Sequence, residues 1–521
     1  MKNDNFALSV LSIFELLFLG FILLLIATVI VLYIIDVNQS AHTIRRNYPV
    51  IGRFRYLFEH MGEFFRQYFF AMDREEMPFN RAERSWAYRA AKNVDANIAF
   101  GSTRDLSPTG SVMFLNSAFP TLEQDAALPS EVTIGPFCRS PYTTTSIFNI
   151  SGMSYGALSR PAVRALSAGA AKAGCWINTG EGGLSPYHLE GGGDVVFQVG
   201  TAKYGVRDAE GQLSDERLKA IASHDNVRMI EIKLSQGAKP GKGGILPGEK
   251  VTAEIAGIRG IAEGHPSISP NGHPDIRSVD DLLDMIEHIR EVTGLPVGFK
   301  AVIGDKGWLR DLVHAVKQRG LDRAPDFITI DSCDGGTGAA PQPLMDFVGL
   351  PLKESLPWVS DLLNQAGLKE RIKIIASGKL ITPAKVAWAL ACGADFTVSA
   401  RGFMFALGCI QAMQCHKNTC PTGVTTHDPK LQKGLDPTDK ATRVAHYQRN
   451  MTYGVGLIAH ACGVTEPRKL RRDHVHVVAA SGLSAPLSEL HPEPITLIDD
   501  QSRPEEPERQ ISVTKEELVD E

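Results

Sequence analysis

Residues 409–423 read CIQAMQCHKNTCPTG, so Cys409, Cys415 and Cys420 fall within twelve positions of a 521-residue chain that has only eight cysteines. The spacing is C-x5-C-x4-C, with Pro421 directly after the last. Three thiolates this close, in a chain whose other five cysteines are scattered, suit an iron–sulfur centre in a reducing compartment. Zinc is the competitor, but His416 is adjacent to Cys415, a poor spacing for closing one tetrahedron. Three buried cysteines without a ligand are the third reading, because free cysteine is commonly a small core residue.

Charged residues in unexpected surroundings come next. Lys300 in VGFKAV and Lys233 in EIKLSQ are cations inside β-rich runs, where an unpaired ammonium is costly. Each is either a functional cation or half of a buried salt bridge, with Glu231 as the alternate neighbour of Lys233. Glu181 in GEGG reads as a proton shuttle or a helix-end cap, and Asp334 in CDGGTG as a substrate-orienting group or a cap. Arg259, in EIAGIRG, reads as a binding cation or an exposed surface charge.

The elements that must position these residues lie at about 145–425. Eight short β-rich runs alternate there with helical patterns: FNIS (148–151), WINT (176–179), VVFQV (195–199), MIEIKL (229–234), VGFKAV (297–302), FITIDS (327–332), KIIAS (373–377) and FTVSA (396–400). Nearly continuous apolar runs indicate strands buried on both faces, hence parallel. Eight of them fit an α/β TIM (β/α)8 barrel. A doubly wound sheet is the rival, but no G-x-G-x-x-G follows the first run. Glycine-rich segments follow six of the runs, including GMSYGALS, GEGG, SQGAKPGKGG and CDGGTGAAP. Such segments at the C-terminal ends of strands are where a barrel builds its site. Gly378, Arg401 and Gly402 follow the last two strands, where barrels of this kind hold a phosphate.

TGEGG, QGAKPG, DGGTGA and C-x5-CHxNTCPxG, in this order, resemble the FMN-binding synthase domain of glutamate synthase over about residues 95–480. With the apolar N-terminal run and the lead-in NYPVIGRFRYLFE, the layout is similar to stand-alone, membrane-anchored proteins of that family. The resemblance implies FMN, with Gly152, Met153, Ser154 and Tyr155 and the glycine-rich strand ends positioning it. Lys233, Gln236, Gly335, Gly336, Gly378, Arg401 and Gly402 are the further flavin-binding candidates, and Lys300 would balance the negative charge of reduced flavin. Gln236, Lys239 and Arg259 match positions near a 2-oxoglutarate pocket, where a diacid needs cationic partners. Glu181, Lys300 and Asp334 are the catalytic candidates. It also implies a [3Fe-4S] cluster on Cys409, Cys415 and Cys420, one ligand per iron and so no fourth cysteine.

Three positions depart from the family pattern. The loop after the fourth run reads PGKGGILPG where PGEGGQLPG is typical, so Lys242 replaces an acid and Ile245 an amide. Cys333 stands at a position commonly held by histidine. A site built to hydrogen-bond a given group discriminates strongly, so these changes bear on the substrate.

Leu16–Ile35 is twenty residues without a charge, about 30 Å as a helix, enough to span hydrocarbon. A cleaved signal peptide would have a shorter apolar region and a small-residue cleavage site. Arg45, Arg46, Arg53 and Arg55 follow the span and only Lys2 precedes it, which keeps the bulk of the chain cytoplasmic. The aromatic and basic stretch GRFRYLFEHMGEFFRQYFFAMD either rests on the bilayer or packs on the main domain. The expected organisation is a short N-terminal segment at 1–15, a transmembrane helix at 16–35, a juxtamembrane region at 36–94, the barrel at 95–480 and an acidic disordered tail at 481–521.

The expected protein is a single-pass cell-membrane oxidoreductase facing the cytoplasm. It would reduce 2-iminoglutarate, formed from 2-oxoglutarate and ammonia, to L-glutamate, with electrons from a separate donor protein because no nicotinamide fingerprint is present. A related flavin enzyme acting on another amine or 2-oxo acid, and a non-catalytic membrane redox sensor, are the alternatives. The net charge of −5 gives no reason to expect nucleic acid. Homo-oligomerisation is left open.

Overall fold

The computed structural model describes residues 2–65, 69–94 and 97–492, so the expected acidic tail lies, from residue 493 on, outside the described residues. The chain forms two compact units, Met1–Arg84 and Ser85–Glu521. The division precedes residue 95 because Trp86 and Tyr88 pack within the larger unit, edge-on to Tyr447 at 5.8 Å and to Phe405 at 5.8 Å.

All eight runs become strands of one closed parallel barrel: β1 Phe148–Gly152, β2 Ile177–Asn178, β3 Val195–Val199, β4 Val227–Lys233, β5 Val297–Val302, β6 Phe327–Asp331, β7 Lys373–Ser377 and β8 Phe396–Ser399. The sheet closes where β8 pairs with β1, through Thr397 opposite Phe148 and Ser399 opposite Ile150. The fold is therefore a TIM barrel. Local chemistry sets the helices around it. Ser159 accepts the Ala162 N–H to start Arg160–Ala173, and Gly174 ends it at φ +69, a left-handed conformation glycine takes without penalty. Ser278 caps Val279–Thr293 in the same way, with Asp280 and Asp281 in its first turn to suit the helix dipole.

Polarity rises along the barrel from one end to the other. At the N-terminal ends of the strands, Trp176, Val196, Met229, Phe327, Ile375 and Phe396 form a buried apolar cluster. Ile134 and Tyr142 join it from a small antiparallel pair, Val132–Ile134 with Tyr142–Thr144, which the β-runs did not announce. Charged and amide side chains take over toward the C-terminal ends, so the chemistry is confined to one mouth.

The smaller unit begins with helix Lys2–Asn38, within which Ile13–Asn38 is long and apolar enough to cross a membrane. A short helix, Thr43–Asn47, follows it, and a longer one, Gly52–Phe65, comes after a turn.

Candidate active site

Inside the barrel, Glu231 on β4 is a buried carboxylate. Its Oε1 accepts from Asn178 of β2 at 2.9 Å and Gln198 of β3 at 2.6 Å, and its Oε2 accepts from Thr329 of β6 at 2.6 Å. Lys300 of β5 stands 3.8 Å from the same carboxylate. Five strands thus meet at one charge, and the burial cost of both Lys300 and Glu231 is offset by their pairing.

Above this layer stands a cation-rich group. Lys233 Nζ donates to Glu181 Oε2 at 2.7 Å and to the side-chain oxygen of Gln236. Burial alone would raise the Glu181 carboxyl, but Lys233, Lys239 and Arg259 hold it down to about 2. Burial pushes Lys233 down to about 8 despite its bond to Glu181, with Lys300 and Lys239 adding to the effect. Gly244 is in close contact with Glu181, since a Cβ there would lie 2.2 Å from Oε1. Arg259 is buried, not a surface charge; it donates to Ser267 Oγ at 3.0 Å and the Tyr155 carbonyl at 3.4 Å.

Two polar atoms in this region are buried without a hydrogen bond among the described residues: Arg259 Nε and His273 Nδ1. His273 Nε2 lies 3.0 Å from the Lys233 carbonyl, and burial pushes the ring down to about 4. Nε2 therefore carries the proton and Nδ1 is an acceptor. One donor and one acceptor left unmet in a buried site fit a bound polar ligand.

A second group forms at the ends of β6, β7 and β8. Asp334 pairs with Lys379 at 2.9 Å, and its carbonyl accepts from Arg401 at 3.2 Å. Burial would raise its carboxyl, but Ser332, Lys379 and Arg401 lower it. Gly336 lies under Arg401, where a Cβ would come within 2.7 Å of Nε. Gly335 touches Gly237, and Gly378, at φ +148, leaves no room for a side chain beside Ser332. These backbone-lined surfaces are what a flavin phosphate and ring would need.

Gly152, Met153, Ser154 and Tyr155 run beside the β2 end, with Gly152 close against Gly180. The Met153 carbonyl accepts from His188 at 2.8 Å, and the Tyr155 hydroxyl donates to Glu254 at 2.6 Å. Gly402 stands apart from the rest. A Cβ there would meet the Tyr447 hydroxyl at 2.3 Å, and its N–H donates to Ser399 Oγ at 3.3 Å, so it serves helix packing.

The cysteine segment follows helix Arg401–Leu407 without regular structure. All three thiols are free of disulfides. Gln411, Met413 and Asn418 adopt positive φ of 60°, 53° and 57°, so the loop winds tightly. It is tied down by its backbone: Tyr88 donates to the Cys409 carbonyl at 2.6 Å, and buried Lys250 donates to the Cys415 carbonyl at 2.7 Å and the Ala157 carbonyl at 3.3 Å. Among the described residues, no group of three or more His, Cys, Asp or Glu side chains converges closely enough to hold one metal ion. The donor set itself, three thiols outside any disulfide with the buried Lys250 ammonium near Cys415 and Cys420, suits a cluster that carries negative charge and spaces its thiolates apart.

Sequence reading missed Glu231 as a hub, His273, Lys250, Lys379 and Tyr88. Only Glu231 carried a signal, a carboxylate in the middle of a buried strand.

The family model described as "Conserved region in glutamate synthase" matches residues 115–465. A Bacillus subtilis (strain 168) protein, "Glutamate synthase large subunit-like protein YerD", is 41% identical over 500 residues, 88% of this chain and 94% of its own length. The "Archaeal glutamate synthase [NADPH]" of Methanocaldococcus jannaschii is 37% identical over 327 residues. That match covers 62% of this chain but 60% of the archaeal protein, so the chain spans well short of that relative's length. A "Glutamate synthase large subunit-like protein" of Rhizobium meliloti (strain 1021) is 29% identical over 405 residues, 74% of this chain and 86% of its own length.

Proposed function

This chain belongs to the glutamate synthase family, oxidoreductases acting on CH–NH2 donors, and on that premise we propose that it reduces 2-iminoglutarate, formed from 2-oxoglutarate and ammonia, to L-glutamate. FMN, when bound, supplies the hydride for that reduction. The observation that carries the reading is the gathering of Lys233, Lys239 and Arg259 around an ionised Glu181 at the C-terminal mouth of the barrel. A dicarboxylic substrate needs two cationic contacts, and Lys239 with Arg259 Nε supplies them. Glu181, held near 2, acts as the fixed anion that orients Lys233. Lys233, at about 8, is the group that exchanges a proton near neutral pH.

Arg401, with the backbone of Gly335, Gly336 and Gly378, would hold the flavin phosphate, and Lys300 would sit at its charged edge. Cys409, Cys415 and Cys420 would hold a [3Fe-4S] cluster that passes electrons in from a separate donor protein. The apolar helix would anchor the chain once in the cell membrane, with the arginines after it keeping the barrel in the cytoplasm.

One observation favours a second substrate. Ile245, directly after the Gly244 that lies against Glu181, pairs with Ile268, and both are exposed. An apolar pair at the mouth favours a 2-oxo acid with a less polar side chain over a second carboxylate. Anaerobic reduction of the purified protein, followed by flavin reoxidation with a panel of 2-oxo acids plus ammonia, decides. Fastest reoxidation with 2-oxoglutarate is the expected result; a branched or aliphatic 2-oxo acid in first place assigns the second reading.

Lys300 gives a separate expectation. Lys300→Met removes a cation and leaves Glu231 uncompensated, so the flavin potential should fall by about 30–60 mV, equivalent to roughly 1.4–2.8 kcal/mol for a two-electron couple. An unchanged potential at full FMN occupancy would reduce Lys300 to a structural partner of Glu231.

A further inference from the structure

Helix Lys2–Asn38 ends in an unusually well-determined bend. Asp36 is fully buried near its C-terminus, where a lone carboxylate would oppose the helix dipole. Arg53 offsets this with bonds from Nε and Nη2, each 2.8 Å from a carboxylate oxygen, and the Val50 N–H adds a third at 3.0 Å. Val50 is held at φ +64, which a β-branched residue rarely adopts, and a Cβ on Gly52 would lie 2.8 Å from the Ile44 carbonyl. Arg45 stands 4.8 Å over the Tyr56 ring, with His42 edge-on at 5.1 Å. Helix Lys2–Asn38 and helix Gly52–Phe65 are thus joined through a fixed elbow that contains the short helix Thr43–Asn47.

Tyr56 and Arg53 spend one side of helix Gly52–Phe65 on the elbow. The other side carries Phe54, Phe58 and Phe65, with Ile51 just before the first turn, a single stripe at helical spacing, and these four are 54%, 64%, 40% and 73% exposed. Arg46, just before the bend, and Arg55, on the helix itself, are exposed and add positive charge, while Arg45 is spent on the elbow. The stripe starts where an all-round apolar helix ends, and the charges beside it are mostly positive.

We propose that helix Gly52–Phe65 lies along the surface of an anionic bilayer, its aromatic stripe among the headgroups and upper acyl chains, held there by the Asp36–Arg53 elbow. Helices of this kind bury their apolar face about 5–10 Å into the boundary region and gain from anionic lipid. The proposal rests on the membrane reading of Ile13–Asn38 and goes beyond it, because a spanning helix alone does not require the next one to lie flat. The elbow then fixes the direction in which the chain leaves the membrane.

The test uses the full-length protein in nanodiscs of phosphatidylcholine with phosphatidylglycerol, carrying lipids brominated at shallow or deep acyl positions. Three variants each add one fluorophore to the first unit, which has no native tryptophan: Leu24→Trp in the span, Phe58→Trp in the stripe and Glu59→Trp toward the other side. Phe58→Trp should be quenched mainly by the shallow bromines, Leu24→Trp by the deep ones and Glu59→Trp by neither. Adding Asp36→Asn should weaken the quenching of Phe58→Trp, as should omitting phosphatidylglycerol. Quenched Leu24→Trp with unquenched Phe58→Trp overturns the proposal and leaves the span standing. Unquenched Leu24→Trp overturns both. Unquenched Phe58→Trp with a doubled mass per disc would assign the stripe to a second copy of this chain instead.

Discussion

Replacing Cys415 with Ser is expected to remove iron and acid-labile sulfide from the protein while FMN stays bound. Iron–sulfur centres prefer thiolate strongly over hydroxyl, so losing one of the three proposed ligands should empty or badly destabilise the proposed cluster. The loop should keep its course, because its anchors are backbone carbonyls: Cys409 held by Tyr88 and Cys415 held by Lys250. Flavin reduction by an external one-electron donor should then fall at least about 100-fold, a rise of roughly 2.7 kcal/mol or more in the barrier to transfer. Chemical reduction by dithionite, and imine turnover by flavin reduced that way, should survive. Iron and sulfide analysis with low-temperature electron paramagnetic resonance on both proteins reads the outcome. Zinc in the wild type, or a cluster signal that persists in the variant, would end the assignment of an electron-carrying centre to these cysteines.

The second large effect concerns Glu181. Glu181→Gln leaves Lys233, Lys239 and Arg259 in a buried site without their shared anion, which should cost about 3–5 kcal/mol of stability in the ligand-free protein. Turnover should fall about 100-fold or more, since Lys233 loses the partner that orients it. A dianionic ligand such as 2-oxoglutarate should stabilise the variant more than the wild type, because it replaces the missing charge. The pH dependence has a definite sign. Glu181 titrates at about 2 when folded against 4.5 ordinarily, so its contribution is fully present above about 4.5 and lost as pH falls toward 2. That difference amounts to about 3 kcal/mol. Denaturation of both proteins between pH 7 and pH 3 should show the wild type's advantage shrinking; a constant gap would mean that Glu181 is not held ionised by its neighbours.

Much of the barrel could be read from the chain because its strands are short, apolar and buried on both faces. VVFQV and VGFKAV coincide with the strands they announced, and FTVSA overruns its strand by one residue. The pair Val132–Ile134 and Tyr142–Thr144 could not be read, since three residues carry no usable alternation. In the site, Lys233, Gln236, Lys239 and Glu181 were legible from their glycine-rich settings, and they stand together. The Glu231 hub was not, because it depends on the relative heights of five strands, which no local pattern encodes. Nor was Lys250, an ordinary lysine in sequence that reaches a loop far down the chain. Gly402 is the less direct case: its place after the last strand is that of a phosphate contact, and what its missing side chain makes room for is the Tyr447 hydroxyl.

The pairing of β8 with β1 also orders events in time. Thr397 Oγ1 bonds the carbonyl of Ile147, 250 residues earlier, and Val112–Phe114 waits longer still for Val475–Val478. During synthesis the first strands must therefore remain open until nearly the whole chain has emerged, and contacts of such long range form slowly. If the apolar N-terminal helix enters the bilayer as it emerges, the unfinished barrel spends that interval tethered at the membrane surface. Tethering separates each half-made sheet from its neighbours in the cytosol, at the stage when exposed strand edges are most prone to mispair.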